Sequence, residues 1–382
     1  MVPGERSSLL HDPPGTHSIR WWVVLTVVVS ILVGAIAVEL RRPDQHVATS
    51  GSAAAASSDW APERLAGERF SARDRSFVLS YAYPGQDWAD ELLADRDRAR
   101  AEVDPVTGWR LLDLRSRYLN ITGGRRASLE PADPNLTVWY FGGSTMFGSS
   151  QRDDHTIPSE IARLAEADGV RVRSENFGVE SYNNYQETMA FAAALSTGRR
   201  PDLVVFYDGA NELATAVERV DVGRTDPGEI YYQAASAKER KARGESSATR
   251  RLTAAQRDDL AVKVGGAQYR RGVLLGQQLG GADKIPVVHV WQPVFAATPP
   301  PPVAEPVVAR LGLDDESLAS VGGLYRRVLQ ASKVKPIDLF EALGGVEEPT
   351  FFDFEHTNEL GASLVAKALY ERLRPQFTAL AH

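Results

Sequence analysis

The chain has 382 residues, room for one large domain with appendages, and its 43% apolar and 24% charged residues are those of a folded globular protein. A net charge of −7 argues against nucleic acid as the main partner, because a phosphate backbone needs a basic face. With no cysteine, a disulfide framework, a thiol nucleophile and any thiolate metal site are excluded.

Residues 1–20 form a short polar tail broken by Pro13, Pro14 and Gly15. Trp21 to Val38 then runs without a charge, and Glu39 and Leu40 extend it to the about 20 residues a helix needs to cross bilayer hydrocarbon. Trp21 and Trp22 stand where an aromatic belt would stand, and Arg20, Arg41 and Arg42 mark the ends. The pattern predicts a single transmembrane signal anchor over residues 21–40. The alternative is a cleaved signal peptide, whose apolar core is ordinarily shorter, with Ala35, Ala37 and Ala53–Ala56 as possible cleavage sites. Arg6 and Arg20 before the span balance Arg41 and Arg42 after it, so charge barely orients it. A short tail followed by a large domain places that domain outside the membrane. Residues 41–62 read as an Ala/Ser-rich linker.

Residues 63–132 read as a lead-in segment packing on one edge of the main domain. Within it, Gly85 to Val103 reads as a solvated helix with a thin apolar stripe of Trp88, Leu92 and Leu93. Ser116 to Thr122 alternates like a strand, and Trp109 and Tyr118 read as packing residues.

The main domain spans residues 133–382. Val138 to Thr145, VWYFGGST, is an apolar run entering two glycines and a serine. Such a run reads as a strand buried on both faces, with Gly142 and Gly143 turning the chain at its carboxyl end, where open α/β sheets hold ligands. Ser144 therefore stands where a nucleophile would stand, unless it only caps the next helix. Thr156 and Pro158 open a helix with Ile161, Leu164 and Ala165 on its apolar face. Arg171–Asn176 is a strand ending at Asn176-Phe177-Gly178, and Asn184 to Leu195 is a helix. Leu203 to Glu212 is a buried strand running into a glycine turn. Residues 213–284 form an insertion with no strand signal, holding Tyr231-Tyr232 and basic residues at Lys238 to Arg243, Arg250, Arg251, Arg270 and Arg271. It reads either as a lid or substrate-binding subdomain, or as a solvated helical pair. Ile285 to Pro293 and Lys335 to Phe340 are further strands, and Thr298–Pro306 is an extended surface loop. The last helix starts near Asn358 and carries Leu360, Leu364, Val365, Ala368, Leu369 and Leu373 at helical spacing. Strands alternating with helices predict a central parallel sheet of about five strands, covered on both faces.

A serine hydroxyl needs a base, usually histidine, oriented by a carboxylate. Of the seven histidines, His11, His17, His46 and His382 lie in the tail, the linker or the terminus, His155 in a loop, and His289 inside a strand, where a satisfied core histidine is expected. His356 lies just before the last helix, with Asp353 three residues earlier, close enough to hold one ring nitrogen while the other faces Ser144. Acyl transfer also needs donors preset around the oxygen that gains charge. The amides of Ser144 and Gly178 and the side chain of Asn211 end at strand tips on one edge, although Asn176 and Asn211 could each serve only as turn formers. Asp202, Asp208 and Glu212 form no recognisable metal-ligand pattern, so no metal and no cofactor are expected.

Gly142-Gly143-Ser144-Thr145, Asn176-Phe177-Gly178, Gly209-Ala210-Asn211-Glu212 and Asp353-Phe354-Glu355-His356, in that order, resemble the blocks of the SGNH (GDSL-type) hydrolase superfamily, as a membrane-anchored bacterial member. The resemblance runs from about residue 135 to the carboxyl terminus. It implies a three-layer α/β/α flavodoxin-like sandwich. It implies Ser144 as nucleophile, His356 as base, Asp353 as its orienter, and Ser144, Gly178 and Asn211 as oxyanion donors. Two departures stand out: Gly143 where the family usually has Asp, and Glu212 where its third block usually ends in Asp. The expected function is an esterase removing a small O-acyl group from a cell-envelope carbohydrate. The rivals are an O-acyltransferase using the same triad and a non-catalytic glycan-binding domain.

Overall fold

In a computed structural model, residues 71–229, 252–297 and 304–381 are described. The tail, the span 21–40, the linker, Tyr231-Tyr232, Lys238 to Arg243, Arg250 and Arg251 lie outside them. Among the described residues no helix is long and apolar enough to cross a membrane.

The lead-in begins with α1 (Ala72–Phe77), capped by the Ser71 hydroxyl, which accepts the Asp74 amide at 3.1 Å. It continues into a π-helical turn, Val78–Ala82. Helix α2 (Asp87–Arg96) buries Leu92 and Leu93 completely and stops at Arg96, short of Val103. The chain instead forms β1 (Ala101–Asp104), paired antiparallel with β2 (Gly108–Leu111). The reason is the Asp104-Pro105 turn: Asp104 Oδ1 accepts the amides of Val106 and Thr107 at 2.9 and 2.8 Å, closing a hairpin that buries Trp109. A second hairpin joins β3 (Ile121–Thr122) to β4 (Arg125–Arg126), so only the end of the Ser116–Thr122 stretch is strand.

The main domain then alternates. Its elements are β5 (Leu136–Gly142), α3 (Ser144–Phe147), α4 (Ile157–Ala167), β6 (Val172–Asn176), α5 (Asn184–Ser196), β7 (Leu203–Asp208), α6 (Ala210–Asp221), α7 (Ala254–Ala282), β8 (Val287–Trp291), α8 (Glu305–Leu311), α9 (Asp315–Ser332), β9 (Ile337–Asp338) and α10 (Glu359–Leu380). The sheet order is β3-β4-β6-β5-β7-β8-β9. Strands β6, β5, β7, β8 and β9 are parallel, in the 2-1-3-4-5 order of flavodoxin-like folds. The sheet as a whole is mixed, not purely parallel. The lead-in adds its β3–β4 hairpin antiparallel to β6, with Arg126 opposite Asn176, which covers an edge that would otherwise expose unpaired backbone groups.

Strand β5 lies inside this sheet. Val138 and Tyr140 pack towards α4 and α10, while Trp139 and Phe141 pack towards Phe191 of α5. That is why its sequence from Val138 to Phe141 is apolar at every position and not alternating. Helix α7 of the insertion lies against α5, α6 and α9. A Cβ on Gly265 of α7 would come within 2.8 Å of the Ala216 Cβ, so small residues allow this close helix packing. Arg270 and Arg271 donate to the carbonyls of Ser332 and Pro227 at 3.4 and 2.8 Å. Of the proline-rich run, residues 298–303 lie outside the described residues. Glu305 and Pro306 open α8 instead of continuing a loop, since proline suits a first helical turn.

Candidate active site

The carboxyl end of β5 turns into α3 through two glycines that leave no room for a side chain. A Cβ on Gly142 would lie 2.5 Å from the Met146 Cβ, and one on Gly143 would lie 2.2 Å from Asn211 Nδ2. Helix α3 therefore starts at Ser144, whose amide, in the first turn, has no intrahelical acceptor. The far end of α3 is held by Arg126, which is 2% exposed. Its guanidinium donates to the carbonyls of Phe147, Gly148 and Gln151 at 3.1, 3.0 and 2.7 Å and to Asp153 Oδ1 at 2.6 Å. Burial lowers its pKa against the opposing pull of Asp153. The turn that lacks a carboxylate at position 143 is thus braced by an arginine from the lead-in.

The loop before α10 brings His356 to Ser144. His356 Nε2 lies 2.7 Å from Ser144 Oγ, and His356 Nδ1 lies 2.8 Å from Asp353 Oδ2. The other Asp353 oxygen accepts the amides of Glu355 and His356 at 2.9 and 2.7 Å, which makes the loop tight enough for a three-residue spacing to work. Phe352 stacks on the imidazole at 5.9 Å with planes 14° apart. Asn358 caps α10 by accepting the Gly361 amide at 2.9 Å and ties the loop back by donating to the Pro349 carbonyl at 2.8 Å. Burial pushes the His356 pKa down, but the charge and hydrogen bond of Asp353 outweigh it and raise the imidazole to about 9. Burial pushes Asp353 up, and His356 with the two amides more than offsets this, leaving it below the usual carboxylate range.

Asn211 stands in the first turn of α6, against Gly143. One of its Nδ2 hydrogens goes to the Tyr182 carbonyl at 2.9 Å, leaving a second donor on the same nitrogen. Glu212 accepts the Asn184 amide at 2.7 Å and also the Gly209 amide, so it joins the starts of α5 and α6. Gly178 is placed differently from the sequence expectation. Its amide donates to Asn176 Oδ1 at 2.8 Å, and Asn176 Nδ2 donates to the Met146 carbonyl at 2.8 Å. A Cβ at position 178 would lie 2.3 Å from the Phe147 nitrogen. Glycine there permits close approach to α3, and its amide is already used within its own loop.

The structure therefore brings Ser144, His356, Asp353 and Asn211 together and directs the Gly178 amide elsewhere. It also adds groups that sequence reading missed: Arg126, Arg96, Glu180 and Glu355. Glu355 is 5% exposed, and its pKa is pushed up to about 7 by burial, against the pull of His356 and with the push of Asp353, Glu212 and Glu180. His289 is a buried core histidine whose Nδ1 lies 3.5 Å from Asn184 Nδ2, while its Nε2 has no hydrogen-bond partner among the described residues. Among the described residues no group of three His, Cys, Asp or Glu side chains is placed to hold a metal ion.

No protein-family model matches the chain, and no curated protein matches it. Several solved structures resemble it in chain path. A lipase/acylhydrolase from Enterococcus faecalis is 14% identical, with 63% of this chain and 96% of that one covered and a TM-score of 0.38. An acetyl xylan esterase, AlAXEase, is 12% identical over 62% of this chain and 100% of that one, with a TM-score of 0.37. A member of the lipolytic protein G-D-S-L family from Veillonella parvula is 12% identical over 62% and 96%, with a TM-score of 0.34. Likeness at this level assigns neither activity nor residue roles, which rest on the geometry above.

Proposed function

We propose that this chain is an SGNH-type serine hydrolase that removes a small O-acyl group from a cell-envelope carbohydrate, anchored in the membrane through residues 21–40 with its catalytic domain outside. The observation that carries the hydrolase reading is the unbroken line Ser144 Oγ, His356, Asp353 at 2.7 and 2.8 Å. The carbohydrate and the location rest on the expected anchor and outward placement.

Neutral His356 takes the Ser144 proton as Oγ attacks the acyl carbonyl, and Asp353 stabilises the imidazolium that forms. In this reading the Ser144 amide and the second Asn211 Nδ2 hydrogen donate to the oxygen that gains charge. His356 then gives its proton to the departing alcohol, and water, activated by the same imidazole, releases the acyl group from Ser144. No step requires a cofactor.

The test is reaction of the full-length protein with a fluorophosphonate probe, beside Ser144→Ala and His356→Ala. Wild type should label, Ser144→Ala should not label at all because the attacking oxygen is gone, and His356→Ala should lose on the order of 10⁶ in rate. A folded wild type that does not label overturns the reading. Release of acetate from acetylated polysaccharide, set against release from acyl thioesters and long-chain esters, tests the substrate class. A reporter fused after His382 that is active in the cytoplasm overturns the placement.

A further inference from the structure

The loop that leaves β6 is gripped by the lead-in. Glu180, in that loop, is 4% exposed. Its Oε1 accepts the Ser149 hydroxyl at 2.7 Å and lies 3.2 Å from Arg96 Nη2 at the end of α2. Ser149 in turn donates its amide to the Ser144 carbonyl at 3.3 Å. A continuous line of polar contacts thus joins the last residue of α2 to the backbone of Ser144. The same loop is pinned twice more: Trp109 Nε1 donates to the Glu180 carbonyl at 3.3 Å, and the Tyr182 hydroxyl donates to the Trp109 carbonyl. Tyr182 is also the residue whose carbonyl accepts from Asn211.

The charges around the imidazole are uneven. Asp353 and Glu355 face it from its own loop, and Glu180 from the β6 loop and Glu212 from α6 act on Glu355. Arg96, with Asp97 3.9 Å away, opposes them. The side chains of Arg96 and Glu180 are 10% and 6% exposed, so solvent screens the pair little. Removing one member of so buried a pair leaves the other charge poorly compensated.

We propose that Arg96 and Glu180 are positioning residues for the reaction at Ser144. Through this ion pair the lead-in holds the turn that carries the nucleophile and balances the carboxylates that surround the base. The proposal rests on the hydrolase reading for its reaction but not for its geometry. It makes the lead-in part of the active site.

The full-length chain is compared as wild type, Arg96→Gln, Arg96→Lys, Glu180→Gln and the Arg96→Gln/Glu180→Gln double variant. The readouts are the labelling rate against pH, the melting temperature and the His356 titration followed by NMR of histidine-labelled protein. Each single neutral variant should slow labelling about 10–100-fold, the scale of a small misplacement of reacting groups. Arg96→Gln should also move the pH midpoint and the His356 titration to higher pH, and Arg96→Lys should restore both towards wild type. The double variant replaces the ion pair by two neutral amide groups, so it should be less impaired than the sum of the singles. The proposal is overturned by wild-type rates in the singles. It is equally overturned by losses that follow the melting temperature alone with an unmoved midpoint and no rescue by lysine. If wild type never labels, the hydrolase reading falls; the NMR titration still decides the pair, because an unmoved His356 in Arg96→Gln refutes it.

Discussion

Two histidine–aspartate pairs in this molecule have opposite fates. His356 and Asp353 meet at 2.8 Å beside Ser144. His289 of β8 and Asp208 of β7 lie 3.8 Å apart in the interior, behind the site. The first imidazole is raised to about 9, and the second is lowered to about 3 by burial. The first carboxyl is held down; the second is pushed up to about 7 by burial, in spite of hydrogen bonds from Glu187 and Asn184. Both pairs have the same residue types and both are taken out of water. What separates them is the state of the carboxyl. Asp353 receives two backbone amides and a ring nitrogen, which together favour the anion. Asp208 receives the Asn184 amide group at 2.9 Å and sits beside Glu187 and Glu212, whose own pKa values are raised, so the proton stays with the acids. His289 then faces a carboxyl whose anion burial disfavours. It lies flat on Phe206, 4.9 Å away with planes 10° apart, as an apolar ring would. The imidazole is raised where ring and backbone donors hold the neighbouring aspartate as an anion, and lowered where burial does not let that anion form.

The comparison breaks most sharply at Asp353. Asp353→Asn keeps the shape and removes the charge, and labelling should fall about 10⁴-fold through the wrong tautomer and an unsupported imidazolium. Asp208→Asn should leave labelling within an order of magnitude. Equal losses in the two variants would show that the buried pair also serves the reaction.

The next effect in size is on pH. The base must be neutral to accept the Ser144 proton, so the labelling rate should climb about tenfold per pH unit and level off near pH 9. Stability should run the other way. A histidine whose folded pKa is raised contributes its stabilisation fully below its unfolded value near 6.5 and loses it as pH rises through about 9. Rate and melting temperature should therefore diverge with pH in wild type and cease to diverge in Asp353→Asn. A rate that levels off near pH 6 would contradict the ion pair.

The smallest effect belongs to the buried pair. Asp208, raised to about 7, contributes stability below its unfolded range near 4 that fades as pH rises through 7. Asp208→Asn should flatten that part of the melting curve against pH. His289, lowered to about 3, costs stability as pH falls from 6.5 towards 3, so His289→Phe should remove that acid-side slope. At neutral pH His289→Phe should change stability by about 1 kcal/mol or less, since a ring already stacked on Phe206 is replaced by a similar one. A larger loss in urea denaturation would mean that the 3.5 Å contact between Asn184 Nδ2 and His289 Nδ1 contributes to stability.

Much of the site could be read from the chain because the chemistry is local. Ser144 follows a buried strand and two glycines; Asp353 and His356 share one tight loop; Asn211 follows a glycine at a strand end. Each is a short-range pattern whose meaning the backbone enforces within a few residues. Gly178 was misread because the direction of its amide depends on the Asn176 side chain, which bridges to α3 and takes that amide as its donor. Arg96 and Arg126 were not legible. In sequence they lie among other charges, and a run such as Asp90, Glu91, Asp95, Arg96 reads as a solvated helix face. Only when the lead-in folds over β6 and α3 do they become buried partners of Glu180 and Asp153.

By itself, then, the sequence determined the alternation of strands and helices, the five parallel strands and the short patterns that carry Ser144, Asp353 and His356, because apolar periodicity and turn chemistry act over a few residues. The tertiary structure alone decided that the lead-in completes the sheet as an antiparallel edge. It also decided that an arginine from the lead-in braces the turn at Ser144, and that burial and partners shift the two histidines beside an aspartate in opposite directions. Those outcomes depend on desolvation and on partners far apart in the chain. Neither is encoded at any one position, and both are set only when the segments meet.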